Sequence, residues 1–439
     1  MNMASKTTLC MLGLLFLFVT WIQAEEDLPQ LNPSSSLDEF IEYIDATNPA
    51  LLGARRELSA RLTEAKVADA LPDPNLAVDV QVREVETRVG PQKQRLGISQ
   101  ALPMKRKRAL RAQVAEAAAA GSREHVEAVR FELHREFRKL YADYFLAGKK
   151  LVIHREHLDL LENLETVVDS KYRAGETSYA NLVRIDLEKD KIREEIASLA
   201  EQGRSLLALL NAVLARPPLT PINYPGSLHG TDEDWLLAVE EELKTNLAEK
   251  NPLIRGLGQR VRHQTLAADL ARQERVPDVR VGIDWINTGD ARIPGVPGSG
   301  DDPIILKFGV DLPINRKKYQ AWEHAARERA LAAQDARVDQ AIRFAAGLER
   351  AFNQYREAAR KIDLYRELLI PKAMETLMVT QKAFQADVSE YLDVIDAEVN
   401  LLNFKIILHE AIASRMYALA DIEWLSGYPL PPFPSSSGH

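Results

Sequence analysis

The chain has 439 residues, a formal net charge of −8 and 46% hydrophobic residues, a composition that excludes a disordered or fibrous chain. Its acidic balance lacks the concentrated Lys and Arg of a nucleic-acid binder, so no nucleic-acid partner is expected. Cys10 is its one cysteine, so without the first 24 residues disulfide and thiol chemistry are excluded.

Residues 1–24 read as a secretory leader. Lys6 gives a positive start, residues 9–22 are almost unbroken apolar sequence, and Gln23-Ala24 precedes the acidic Glu25-Glu26-Asp27. The apolar run falls short of the roughly 20 residues of a spanning helix. Cleavage after Ala24 is expected, which moves the charge from −8 to −9. Cys10, preceded by Thr7-Thr8-Leu9, does not read as a lipoprotein acceptor. Residues 25–36 form an N-terminal linker. No later apolar run reaches the length of a spanning helix, so an exported chain of this kind is soluble or enters a membrane as a β-barrel.

The rest is a duplication, with repeats at 37–215 and 236–427, a linker at 216–235 and a flexible tail at 428–439. In the first copy Asn48-Pro49 begins a helical stretch within 37–71, which ends at Leu71-Pro72-Asp73-Pro74. Two strands are predicted over about 75–84 and 95–102. Leu76, Val78, Val80 and Val82 alternate with Ala77, Asp79, Gln81 and Arg83; Leu96, Ile98 and Leu102 oppose Gly97, Ser99 and Ala101. After Leu102-Pro103-Met104-Lys105-Arg106-Lys107 a helix without proline runs to Tyr172, about 100 Å long at 1.5 Å per residue. The turn 172–179 leads into a helix over 180–214. Its seam alternates spacings of three and four through Leu182, Ile185, Lys189, Ile192, Ile196, Leu199, Gly203, Leu206 and Leu210, the mark of a left-handed coiled coil. Its expected partner is the preceding helix, through Leu158, Leu161, Val168 and Tyr172.

The second copy repeats this order. Asn251-Pro252 leads to Val276-Pro277-Asp278, at the spacing that separates Asn48 from Pro74. Strands over about 279–287 and 304–312 put Val279, Val281, Ile283 and Trp285, then Ile304, Leu306, Phe308 and Val310, on apolar faces. The loop between them is rich in Gly, Pro and Asp. Leu312-Pro313-Ile314-Asn315-Arg316-Lys317 opens a second long helix, in which Pro371 should produce a kink or a break. The turn 384–391 echoes 172–179, and a seam from Val394 to Ile422 lies 212 residues beyond the first.

Four strands of about nine residues, apolar on one face and charged on the other by Asp79, Arg83, Lys307 and Asp311, fit a membrane barrel better than a small sandwich. Four cannot close. Two copies would give eight strands around a filled interior; three would give twelve, wide enough to begin a channel, with twelve helical columns.

In this order the motifs resemble the TolC-like outer-membrane efflux protein family. The residues that carry the resemblance are the Asn-Pro helix starts, Leu71-Pro72-Asp73-Pro74, Ser99-Gln100-Ala101-Leu102-Pro103, Tyr172-Arg173-Ala174-Gly175 and Leu392-Asp393-Val394-Ile395-Asp396-Ala397. They span residues 37–427 and look most similar to the branch that serves heavy-metal resistance–nodulation–division pumps. The resemblance implies an α+β membrane protein: a homotrimer with a twelve-stranded β-barrel in outer-membrane lipid, continued by a twelve-column α-helical coiled-coil barrel in the periplasm of a Gram-negative cell. It implies a passive exit duct for an inner-membrane pump and a periplasmic adaptor, metal cations being among the cargoes it admits.

By the same resemblance Asp393 and Asp396 fall on an aperture ring, with Asn181, Tyr172 and Phe384 at neighbouring gate positions. Asn181 stands where the family often has Asp, and Phe384 stands at a gating tyrosine position. Gly175, Glu176, Thr177, Asp387, Ser389 and Glu390 would contact the adaptor at the helical tip, Asp387 replacing a turn glycine. No cofactor and no metal site are expected: His154 and His157 form only an i, i+3 pair, and such pairs are usually solvated. No phosphate loop, HExxH or nucleophile elbow is present, so no enzyme is expected. A duct for type I protein secretion stays open, as does an exported periplasmic coiled-coil scaffold, which would leave the alternating strands unexplained.

Overall fold

A computed structural model describes residues 30–228, 233–386 and 388–430. The leader, with Cys10, and most of the tail lie outside the described residues, as does Asp387. The chain forms two compact units. One comprises Arg55–His125 and Leu253–Gln340; the other comprises the chain up to Ala54, Val126–Pro252, and the chain from Ala341 onward.

The first unit holds a four-stranded antiparallel sheet in the order β1 (Asn75–Thr87), β2 (Gly90–Leu102), β3 (Asp278–Thr288) and β4 (Ile304–Asp311). The register puts Val78 opposite Leu96, Leu96 opposite Trp285, and Trp285 opposite Ile304, so one apolar face crosses all four strands. This face is largely exposed, with Phe308 at 81%. Asp79, Arg95, Asp284 and Lys307 occupy the other face. β1 and β2 run further toward their shared turn than alternation indicates. Backbone pairing continues past a bulge between Val80 and Val85, although Pro91–Gln94 has no apolar pattern. Gly90, at φ +132°, is required there, because a Cβ would fall 1.7 Å from the Gly289 carbonyl oxygen.

Helices flank each strand pair in sequence: α1 (Leu37–Thr47), α2 (Pro49–Val67), α3 (Lys105–Arg173) and α4 (Tyr179–Val213) belong to the first copy. The linker and second copy contain α5 (Glu233–Ala238), α6 (Glu240–Lys250), α7 (Pro252–Gln273), α8 (Arg316–Asp363), α9 (Ile370–Gln385) and α10 (Tyr391–Ser426). Lys107 fixes the start of α3 within the sheet unit. It is buried, donates to the Val276 carbonyl at 2.7 Å and pairs with Asp278 at 3.0 Å.

The expected helical stretch 37–71 is divided at Asn48-Pro49, and the chain is divided in the same way at Asn251-Pro252. A residue before proline is driven out of the helical region, and Asn48 and Asn251 have ψ of 124° and 121°. Their side chains then hold other helix ends. Asn48 Nδ2 donates to the Val213 carbonyl at 2.7 Å, at the end of α4. Asn251 Nδ2 donates to the Trp424 and Leu425 carbonyls at 2.9 Å, near the end of α10.

Pro371 neither breaks the chain nor stops the helix. A π-helical stretch, Leu364–Leu369, joins α8 to α9. Ile370 N–H bonds to the Tyr365 carbonyl, so the wider turn absorbs the donor and the space that Pro371 removes.

The helical unit is built around α1, α3, α4 and α10, with Phe40, Phe137, Tyr141, Phe145, Leu210 and Met416 in one core. Residues 216–228, expected as a linker, contribute Ile222 and Leu228 to that core. Tyr224 stacks on Tyr144 at 4.3 Å between centroids and lies against Gly148 and Gly203.

Candidate functional site

The candidate residues gather at the α3–α4 and α9–α10 turns, both in the helical unit. α3 ends in a Schellman motif: Gly175 N–H bonds to the Tyr172 carbonyl at 3.0 Å and Glu176 N–H to the Lys171 carbonyl at 2.9 Å. Gly175 has φ +78°, a conformation a side chain rarely adopts. At the second turn Val388 N–H reaches the Ala383 carbonyl at 2.9 Å, the bond equivalent to that of Glu176. Asp387, between them, lies outside the described residues.

The two returning helices begin differently. On α4, Asn181 Nδ2 donates to Thr177 Oγ1 at 2.9 Å. On α10, Asp393 and Glu390 form a reciprocal capping box in which Glu390 N–H donates to Asp393 Oδ2 at 3.0 Å. Asp393 therefore has a local role in starting its helix. Asp396, one turn on, is exposed, as are Asp393, Glu390 and Glu176.

A small apolar core joins the two turns: Leu164 and Val168 from α3, Ile185 from α4, Phe384 from α9, and Tyr391 and Val394 from α10. Phe384 is buried within it, and Lys171 Nζ lies 4.5 Å from its ring centroid. Tyr172, the equivalent residue of the first copy, is instead exposed and stands 5.8 Å from Tyr179 between ring centroids. Of the α3 residues expected in the seam, Leu161 and Val168 are buried, Leu158 is half-buried and Tyr172 is not buried. A cleft of about 630 Å³ opens beside this core, lined by Lys171, Glu176, Thr177, Asn181, Ser389 and Glu390 among others. It brings the tip candidates of both copies together.

Behind the turns lie ionisable groups that helical spacing alone does not expose. Glu398 is buried, its Oε2 has no hydrogen-bond partner, and burial pushes its pKa up to about 8 against the opposing pull of Lys405. Burial likewise raises the Tyr391 phenol, and Glu398 and Glu188 add to the effect. His157 is buried with neither ring nitrogen bonded; burial lowers its pKa, with Glu188 opposing and His154 reinforcing. It is thus a core residue and not part of a solvated pair. Lys189 is buried in the seam, its pKa raised chiefly by its hydrogen bond to Glu165. The sequence does carry that signal: Lys189 interrupts an apolar seam where the second copy has Leu401. Among the described residues no three His, Cys, Asp or Glu converge to hold a metal ion.

Residues 243–427 match the family model described as outer membrane efflux protein. No curated protein sequence matches the chain. Solved structures that share its fold include the three that follow. A membrane protein from Pseudomonas aeruginosa has a TM-score of 0.75 at 18% identity, covering 92% of this chain and 93% of that one. The outer membrane protein VceC from Vibrio cholerae has 0.75 at 15% identity, covering 90% and 97%. The outer-membrane channel OprN has 0.74 at 14% identity, covering 92% and 96%.

Proposed function

We propose that this chain, TolC-like in its fold and matched by the outer membrane efflux protein family over its second half, forms the passive exit duct of an efflux system. Three copies close a twelve-stranded barrel in the outer membrane, and their helices line a conduit in the periplasm. The observation that carries this reading is the sheet. Its apolar face is exposed on all four strands, its other face is charged, and among the described residues its outer strands β1 and β4 are each paired on one side only. A contiguous apolar surface of this kind marks contact with lipid or protein. In lipid, each unpaired backbone group on an open edge would cost several kcal/mol, so a lipid-facing sheet must close. Among the described residues no helix is long and apolar enough to cross a membrane; the strands are what can.

An inner-membrane pump, of the resistance–nodulation–division type, and a periplasmic adaptor would supply cargo and energy. The two turns offer the adaptor its docking point, through Gly175, Glu176, Thr177, Asp387, Ser389 and Glu390, four of which line the cleft: Glu176, Thr177, Ser389 and Glu390. The duct itself performs no chemical step, and metal cations are the cargo favoured by the motif resemblance. The test is extraction of the chain, expressed with its leader, from outer membranes. Mass measurement in detergent should give three chains, and the purified protein should form ion-conducting channels in planar bilayers. A monomer, or a protein released without detergent, would overturn the reading in favour of a scaffold.

A further inference from the structure

We propose that β4 of one copy pairs with β1 of the next in a single register, set by an ion pair between Lys307 and the Asp79 of a second copy of this chain. This inference rests on the barrel reading above and supplies the junction that such a barrel needs.

On the polar face the charges alternate from edge to edge. Asp79 on β1 stands 3.9 Å from Arg95 on β2. Arg95 pairs with Asp284 on β3, and Asp284 pairs with Lys307 on β4 at 2.5 Å. Asp284 is 1% exposed, seated over Gly97, where no side chain occupies the opposing position. The row therefore begins with a carboxylate on one open edge and ends with an ammonium on the other. Each of these terminal charges has a partner on its inner side only. β4 and β1 run in opposite directions, so a second copy placed edge to edge joins them as an antiparallel pair. The two patches differ, so the contact is head-to-tail and generates a ring.

Three independent features select one register. With Lys307 opposite Asp79, all eight residues of β4 (Ile304–Asp311) pair with residues 75–82 of β1, and the strands end flush at Asn75 and Asp311. The apolar face stays continuous, with Phe308 opposite Val78, Leu306 opposite Val80 and Val310 opposite Leu76. The stagger is also that of a closed barrel. Following direct partners across one chain leads from Asn75 to Ser99, Gly282 and Lys307, and then to the neighbour's Asp79. That is four residues of stagger over four strands. A ratio of one residue per strand is that of an eight-stranded barrel of shear eight, whose strands tilt by about 36°, within the roughly 35–45° of closed membrane barrels. A slip of two residues toward less stagger would halve the ratio and drop the tilt to about 20°. A slip of one would turn Phe308 and its neighbours to the polar side.

Disulfide trapping tests the register with both charges kept. In the full chain carrying Cys10→Ala, the pair Val78→Cys and Phe308→Cys should give covalent dimers and trimers on oxidation in detergent, and neither single variant should exceed a dimer trace. Within one chain β1 and β4 lie three strand spacings apart, about 14 Å, too far for a disulfide. The slipped pairs Leu76→Cys with Phe308→Cys, and Val80→Cys with Phe308→Cys, should trap at least tenfold less. Adding Asp79→Asn should erode that tenfold preference. If a multimer forms but a slipped pair traps best, or Asp79→Asn leaves the preference intact, the ion-paired register is wrong and the duct stands. A detergent-solubilised monomer would remove both.

Discussion

Glu398 shows how a side chain behind the tip couples stability to pH. Its folded-state pKa of about 8 lies above the ordinary 4.5 because the carboxyl is buried and Oε2 accepts no hydrogen bond. Between those values the folded chain holds a proton that the unfolded chain has released, so stability falls as pH rises from about 4.5 to about 8 and levels off above. Glu398→Gln keeps the shape and removes the ionisation. Thermal unfolding in detergent should show the variant more stable than the parent by up to about 5 kcal/mol at pH 9 and nearly equal to it at pH 4. An identical pH dependence in both proteins would mean that water reaches the carboxyl. Individual residues were the least legible level of this chain. A carboxylate on a helix usually faces solvent, and nothing in the spacing of Glu398 says otherwise, whereas His157 stands at seam spacing with Leu161, Leu164 and Val168. Both are buried in the folded chain, Glu398 by packing that its helix spacing does not announce. Lys189 was legible, because its seam position forecasts burial and burial of an ammonium requires the partner that Glu165 provides.

Strands and helices were far more legible than their ends, because period-two and period-3.5 patterns accumulate over many residues. The alternation of residues 76–83 and 304–311 corresponds to the observed faces of β1 and β4. What escaped were features that depend on neighbours: the backbone-driven extension of β2, the π turn before Pro371, and the packing of residues 216–228 into the core. The glycines of the helices give a test of that last feature. Gly→Ala in a helix interior usually stabilises by about 1 kcal/mol. In α2, a Cβ added to Gly53 would meet nothing within 4 Å, so Gly53→Ala should follow that rule. In α3, a Cβ on Gly148 would meet three Tyr224 atoms at 2.7–2.8 Å, and the ring is held between Tyr144 and the helices. Gly148→Ala should therefore lower the unfolding temperature although its intrinsic propensity is better. Opposite signs at the two positions are the expected result in thermal melts; equal stabilisation would show that the 216–228 strap yields without cost.

At the scale of the proposed trimer, each feature assigned to conduction depends on symmetry. Asp393 and Asp396 are exposed on a single chain. In a trimer they would supply six carboxylates around one axis at the aperture, a ring that favours cations and binds multivalent ones. The capping box separates this role from a structural one. Asp393 accepts from the Glu390 N–H, so removing its carboxylate should weaken the start of α10 by about 1 kcal/mol. Asp396 lies beyond the capping box, one turn further along α10. Asp393→Asn retains an acceptor oxygen and removes the charge, which makes it the better probe of the ring. In planar bilayers the double variant Asp393→Asn, Asp396→Asn should conduct more, lose cation preference, and resist block by trivalent cations that close the parent channel. Asp396→Asn alone should show part of this change with no loss of stability. If the double variant conducts, selects and blocks as the parent does, the carboxylates do not line the aperture. Glu176 and Glu390, in the cleft formed by the two turns, would then be the charges to replace next.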